Sequence, residues 1–389
     1  MITAIELRNF KCFKALRLSL GRITFLTGFN AAGKSTTLQS ILLLAQTLRT
    51  RERGADVRLN GPLLRLGTPG DVINQEQAEA ELELGVATDS VNLLWRIKSV
   101  EREDERVLRI FEMTIDGSDR TTIGADDELL NLLPDKLSHT AATEVVAQIR
   151  QTIYVSAVRQ VETDVFPAPE EPNPIHAAVG AFGEFAPWWF HHYDDMEVEI
   201  GRCLSSETSR TLRAQVNAWL RELFPGAEVN AQPVPKTRLM RLELRTGITD
   251  EWRRPSNTGY GISYAFPVLV AALCAKPNQT LIVDSPEAHL HPRGQSRIGR
   301  FLAQVAASGL QIIVETHSDH VLNGLRLALK DQSLRPEDTA IYFFGGRDTE
   351  GKVLPVVAVS ADKNGNLDQW PDGFFDQAER DLANLAGWV

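Results

Sequence analysis

One stretch constrains this chain more than any other: GFNAAGKS, Gly28 to Ser35, which matches G-x-x-x-x-G-K-[ST] in full. It follows ITFLTG, a nearly continuous apolar run of the kind that forms a buried parallel strand. It opens a segment in which Leu38, Ile41, Leu42, Ala45 and Leu48 fall on one helical face. Strand, glycine-rich turn and helix in that order make a phosphate cradle. Gly28 and Gly33 let the backbone bend, so that N–H groups of the loop, through Asn30, Ala31 and Ala32, converge on phosphate oxygens. The helix N-terminus adds partial positive charge. Lys34 reaches the terminal phosphates, Ser35 offers a hydroxyl to Mg²⁺, and Thr36 follows it.

A second stretch, TLIVDSPEAHLHP, fits the same site. Three apolar residues after Thr280 deliver Asp284 to a strand end, where such carboxylates hold Mg²⁺. In many nucleotide-hydrolysing sites a glutamate follows that aspartate at once, but here Ser285 follows and the next carboxylate is Glu287. His289 and His291 have no third partner at zinc-ligand spacing. Contact with a nucleotide, a subunit interface or loop packing are the readings left for them. In QIIVETHSDHVL, His317 comes just after another buried strand, where it can sense a terminal phosphate. Ser318 or Asp319 would cap the helix that follows.

Upstream of the acidic strand, RRPSNTGYGISYAFPVL puts Gly259 and Gly261 at a helix start, a second anion site. One nucleotide does not need two such helix ends from one molecule. A sandwich dimer, in which the second site serves the partner's nucleotide, resolves this.

The rest of the chain alternates in type. Residues 2–28 read as three strands, 81–117 as an antiparallel sheet, 127–150 and 205–223 as helical, and 227–246 as strands. From 261 onward helix and strand alternate, which means an α/β core. The net charge of −10 argues against general nucleic-acid binding, so any DNA contact must be a local patch. Three widely spaced cysteines exclude a disulfide framework and fit a reducing cytosol. The longest apolar run, AFPVLVAALCA, is too short to span a membrane. A cytoplasmic, membrane-free protein is expected.

The motif order resembles the heads of SMC- and ABC-type ATPases. Within them the chain is similar to the RecF-like and OLD-like AAA ATPases, which share the PE-x-HLHP motif seen at 286–292. The stretch GNLDQWPDGFFDQAERDLANL (365–385), with IYVSAVR and VG-x-x-GE, resembles a bacterial subfamily. Its ATPases end in a small domain of uncharacterised function bearing WP-x-GFFD. The resemblance implies an α/β fold: an ABC-type P-loop NTPase head with a mixed, mostly parallel core sheet, an antiparallel β lobe and a globular helical insertion. The head would comprise 1–80, 150–160 and 255–345. The β lobe with its helix would span 81–149, the insertion 161–254 and a small C-terminal domain 346–389.

The resemblance also implies ATP and Mg²⁺ as cofactors. Lys34 and Ser35 would bind phosphate and Mg²⁺, Asp284 would hold Mg²⁺, and His317 would occupy the switch-histidine position. Gly259, Gly261 and Ser263 would form the signature that meets the partner's ATP. A Q-loop should lie in LGTPGDVINQ, with Asp71 or Gln75 as its sensing residue and Gln75 as a further metal contact. Two departures stand out. The signature lacks its usual leading serine at Gly259. Ser285 stands where such heads carry the catalytic glutamate, so Glu287 is the nearest substitute.

The implied function is an ATP-driven dimeric or higher-order switch that hydrolyses ATP slowly. It would control a separate effector, such as a nuclease, in a bacterial anti-phage or mobile-element system. Two other readings stay open. One is a RecF-like DNA-repair ATPase that touches DNA through Arg49, Arg51, Arg53, Arg253 and Arg254. The other is a non-hydrolysing ATP-bound scaffold, motivated by Ser285. The absence of heptads argues against an SMC-type coiled coil, and the roughly 70 residues after THS are too few for a TOPRIM nuclease domain.

Overall fold

ITFLTG, TLIVD and QIIVE carry apolar side chains at successive positions, so each strand needs cover on both faces. In the computed structural model they lie side by side. The structure describes residues 1–50, 53–74, 80–102, 105–117, 119–124, 127–135, 139–160, 163–171, 174–247, 249–347, 353–375 and 377–387. A six-stranded sheet runs in the order Ile153–Val155, Thr280–Asp284, Gln311–Glu315, Ile23–Gly28, Thr339–Phe344 and Val356–Val359. The first five strands are parallel and the last is antiparallel. Register sets Asp284 opposite Glu315 and Phe344 opposite Gly28. The C-terminal ends of the three central strands therefore share one edge, the edge at which open α/β sheets bind ligands.

Alternate residues of these strands feed two different cores. Leu26, Ile282 and Ile313 join a cluster with the helix Lys34–Thr50 and an antiparallel sheet. That sheet orders Phe13–Ser19, Ala4–Phe10, Glu81–Ala87, Asn92–Arg102 and Glu105–Ile115, with Asp56–Val57 and Asp119–Thr122 paired to its last long strand. It thus takes in residues from both sides of position 80. The helix Lys34–Thr50 lies between two sheets, which explains why it is buried almost all round rather than along one stripe.

Phe25, Leu281, Val283, Ile312 and Val314 face the other core. Helices Tyr260–Cys274, Pro292–Ala307 and Asp319–Lys330 cover that side. The last two cross with their backbones nearly touching. A Cβ on Gly299 would sit 2.2 Å from the Val321 carbonyl oxygen, and one on Gly324 would sit 2.2 Å from that of Ser296. Backbone cannot rotate aside as a side chain can, so Gly324→Ala must push the helices apart. Overpacking of this kind costs about 1–3 kcal/mol. The expected result is a melting temperature several degrees lower, and an unchanged melting temperature would contradict the crossing.

The structure departs from expectation in one place. Residues 127–150 are not one helix: Leu129–Leu130 and Leu133–Pro134 form a small antiparallel pair, and the helix is Thr140–Arg150. Pro134 lacks an N–H and breaks the helical reading of the leucine run. The 161–254 region follows the expected helix at 205–223 and strands at 227–246, with a further strand and helix before them. It holds a three-stranded sheet (Val165–Pro167, Leu239–Arg245, Glu228–Pro233) beside helices Ala186–His192 and Leu212–Leu223. Among the described residues, no helix is long and apolar enough to cross a membrane.

Candidate nucleotide site

The phosphate loop is shaped by three residues in the left-handed region: Gly28 (φ 128°), Ala31 (φ 58°) and Gly33 (φ 104°). Turning the backbone this way aims successive N–H groups inward, which makes an anion-binding concavity. Gly33 also has no room for a side chain, because its Cβ would lie 2.3 Å from the Phe13 ring. Cys12 lies in the turn between the first two strands, and Phe13 begins the second. Cys12 Sγ lies 3.9 Å from Thr36 Oγ1, and Lys11 Nζ donates to Gln39 Oε1 at 2.7 Å. The antiparallel sheet is thereby docked onto the start of the loop's helix. Lys34 is buried, and its ammonium donates to the carbonyls of Gly28 (3.2 Å) and Phe29 (2.8 Å). Asn30, Ala31 and Ser35 are exposed along the loop, while Ala32 is buried.

Asp284 ends its strand as expected, and its Oδ1 accepts from Ser285 Oγ at 3.0 Å. The residue beside it, Glu315, is one the sequence reading passed over. Ser35 Oγ donates to Glu315 Oε1 at 2.9 Å, and Lys34 Nζ lies 3.9 Å from the same oxygen. Glu287 is held by two donors, Thr316 Oγ1 at 2.8 Å and the His317 amide at 2.9 Å. His317 lies at the loop, with its ring bonded to the Gly28 backbone, and its pKa is lowered by burial and by Lys34. The structure therefore brings together Gly28, Lys34, Ser35, Asp284, Glu287 and His317, with Glu315 among them.

Burial pushes the carboxyls of Asp284 and Glu287 above their usual range. Burial and the charge of Asp284 push Glu315 up to about 7. A carboxyl with a raised folded-state pKa holds its proton more tightly folded than unfolded. Its contribution to stability is complete below the unfolded value near 4.5 and is lost as pH rises through about 7. Metal-free protein should lose up to about 3 kcal/mol on this account between pH 4.5 and 7.5. Melting temperatures across that range test it, and a rise in stability over pH 5–7 would contradict it.

The oxygens present fit Mg²⁺. Glu315 Oε2 is buried without a hydrogen-bond partner, an arrangement that costs free energy and that a cation relieves. Two carboxylates and one hydroxyl are hard oxygen donors, and Mg²⁺ completes its shell with water and phosphate oxygens. Among the described residues, no group of three or more His, Cys, Asp or Glu side chains could hold a metal. The histidine pair is used in packing. The His289 ring lies 4.4 Å from that of Tyr264 and 5.5 Å from that of Tyr260. His291 caps the helix Pro292–Ala307 by accepting from the Arg293 amide.

The other expected residues fall differently. Gly259 is the exposed N-cap of the helix Tyr260–Cys274. Gly261 packs under Phe224 and the His289 carbonyl. Ser263 is buried with its hydroxyl unpartnered. Asp71 is engaged in a capping box with Thr68, and Gln75 lies outside the described residues. Of the candidate DNA-contacting arginines, Arg49 is committed inward. It donates to the Arg150 carbonyl at 2.9 Å and to that of Thr152. Arg254 pairs with Asp164 and Arg53 with Asp135, while Arg51 lies outside the described residues.

Two motifs acquire a place. In IYVSAVR, Arg159 is buried and bridges the two halves of the site. It donates to the carbonyls of Asp284 (2.8 Å) and Ser285 (3.1 Å) and to that of Tyr264 (3.2 Å), over whose ring it lies. In WPDGFF, a Cβ on Gly373 would lie 2.3 Å from the ring of Phe29 in the phosphate loop. Phe374 packs edge-on to Phe343, which packs edge-on to Phe29.

Comparison with known proteins agrees with this geometry. Residues 1–161 match the AAA ATPase domain family. Residues 236–323 match a second AAA domain family, described with the AbiEii toxin of a type IV TA system. Residues 334–385 match a family described as a protein of unknown function, DUF3696. The Old nuclease of Escherichia phage P2 is 21% identical over 378 residues, covering 84% of this chain. The match spans 58% of that nuclease's own length. Among solved structures, an SMC head bound to the C-terminal winged-helix domain of ScpA superposes with a TM-score of 0.54 at 14% identity, covering 93% of this chain and 98% of that one. A Pyrococcus furiosus SMC head with an extended coiled coil, bound to the C-terminal domain of ScpA, gives 0.54 at 12% identity and 99% of both chains. At such identities these structures speak to fold alone. Residues 1–161 and 236–323 thus match AAA ATPase domains, residues 334–385 match DUF3696, and the fold is that of an SMC head.

Proposed function

We propose that the protein binds ATP with Mg²⁺ at the shared strand edge and acts as a slowly hydrolysing, ATP-gated dimeric switch. The observation that carries this reading is the meeting of the phosphate loop with the carboxylates of the parallel strands: Lys34 and Ser35 lie against Glu315, whose register partner is Asp284. In this reading the loop amides and Lys34 hold the phosphates. Ser35 and Asp284 hold Mg²⁺, which neutralises phosphate charge when bound. Glu287 orients or deprotonates the attacking water, and His317 reports on the terminal phosphate. The exposed helix start at Gly259 serves the partner's ATP through backbone N–H groups.

Control of a separate effector, in anti-phage or mobile-element defence, is supported only by the likeness to a phage nuclease and to a toxin-associated AAA domain. Ser285 favours a second reading, a scaffold that binds ATP without turnover. Its hydroxyl is turned onto Asp284, and it offers no base. Phosphate release measured with and without DNA separates the two. Turnover that stays at background in every condition, with ATP bound, would leave the scaffold.

A further inference from the structure

We propose that Glu315 is a direct ligand of Mg²⁺, so that the metal site is built from two neighbouring strands rather than from Asp284 alone. This rests on the ATP reading above and adds a residue to it. Four observations converge. Ser35, the loop hydroxyl next to the phosphates, donates to Glu315 at 2.9 Å, whereas Asp284 Oδ1 accepts from Ser285. The parallel register sets Glu315 beside Asp284, and the Ser285 amide donates to the Glu315 carbonyl at 2.8 Å, which fixes the backbone of both. The second oxygen of Glu315 is buried and unpartnered.

The fourth observation is the charge balance. Among the described residues, the cations facing Asp284, Glu287 and Glu315 are Lys34 and Arg159, and both already donate to backbone carbonyls. A triphosphate brought to a site with this excess of carboxylate is repelled unless a divalent cation lies between them. The orphan oxygen of Glu315 is a buried acceptor with unused capacity for such a cation. Asp284 and Glu315 then present hard oxygens from adjacent strand ends, with the Ser35 hydroxyl as the third. A bound metal would share a lone pair of the Ser35 oxygen, while the hydroxyl keeps its proton and goes on donating it to Glu315 Oε1.

The test is a titration of fluorescent ATP against wild type, Lys34→Ala and Glu315→Gln, without metal and across a range of MgCl₂, with melting curves to confirm folding. Glu315→Gln should bind metal-free ATP at least as tightly as wild type, because a negative charge is gone. It should need about tenfold or more Mg²⁺ for the same gain in affinity, on the scale of losing a metal-site contact. Bound Mn²⁺ read by electron paramagnetic resonance should weaken in parallel. An unchanged Mg²⁺ requirement in Glu315→Gln overturns the proposal, whether or not turnover is lost. Wild type that binds no ATP overturns the ATP reading and the proposal with it, so the two failures are distinct.

Discussion

Lys34→Ala should raise the Kd for ATP by roughly 100-fold. Lys34 is buried at the centre of the loop, and its ammonium now donates to Gly28 and Phe29 carbonyls within reach of where phosphate oxygens would sit. Exchanging those carbonyls for charged phosphates gives charge-assisted hydrogen bonds, each worth about 1.5–3 kcal/mol. Loss of about 3 kcal/mol corresponds to two orders of magnitude in Kd. Fluorescent ATP titration reads the change, and melting curves guard against misfolding. Affinity within twofold of wild type would mean that this loop is not the nucleotide site.

Glu287→Gln should lower turnover by about 10²–10⁴-fold while leaving ATP binding within a few-fold of wild type. That range is what general-base assistance contributes. Ser285 offers no carboxylate, so Glu287 is the next one along the chain. Its anchors, Thr316 Oγ1 and the His317 amide, hold it at the end of the strand that carries Glu315. A glutamine keeps one acceptor oxygen for the His317 amide, and its NH2 group can donate to Thr316 Oγ1 instead, so the fold should survive. Single-turnover phosphate release compares the variant with wild type. Equal rates would place the base elsewhere in the site and remove Glu287 from the mechanism.

The phosphate loop was legible in the sequence because its strand, turn and helix are contiguous, and a local pattern carries the whole geometry. Asp284 was legible for the same reason, as the polar end of an apolar strand. Glu315 has the same signature in QIIVE, but its meaning depends on strand order. It lies 280 residues from Ser35, and only the parallel pairing shows that they touch. Arg159 and the WPDGFF turn share that difficulty. Each acts through backbone carbonyls or a glycine's missing side chain, neither of which a motif displays. Helical position alone does not tell an inward serine such as Ser263 from an outward one. The helix read into 127–150 failed on Pro134, a signal that was present and outweighed by the leucines.

The central claim is that ATP joins two copies of this chain. Light scattering on Glu287→Gln with ATP and Mg²⁺ tests it most directly, since slowed turnover prolongs the bound state. The account predicts a mass near twice the 43.2 kDa of one chain, returning to one chain when ATP is omitted or Lys34 is also replaced by alanine. A single-chain mass at saturating ATP, with nucleotide shown to be bound, would contradict it.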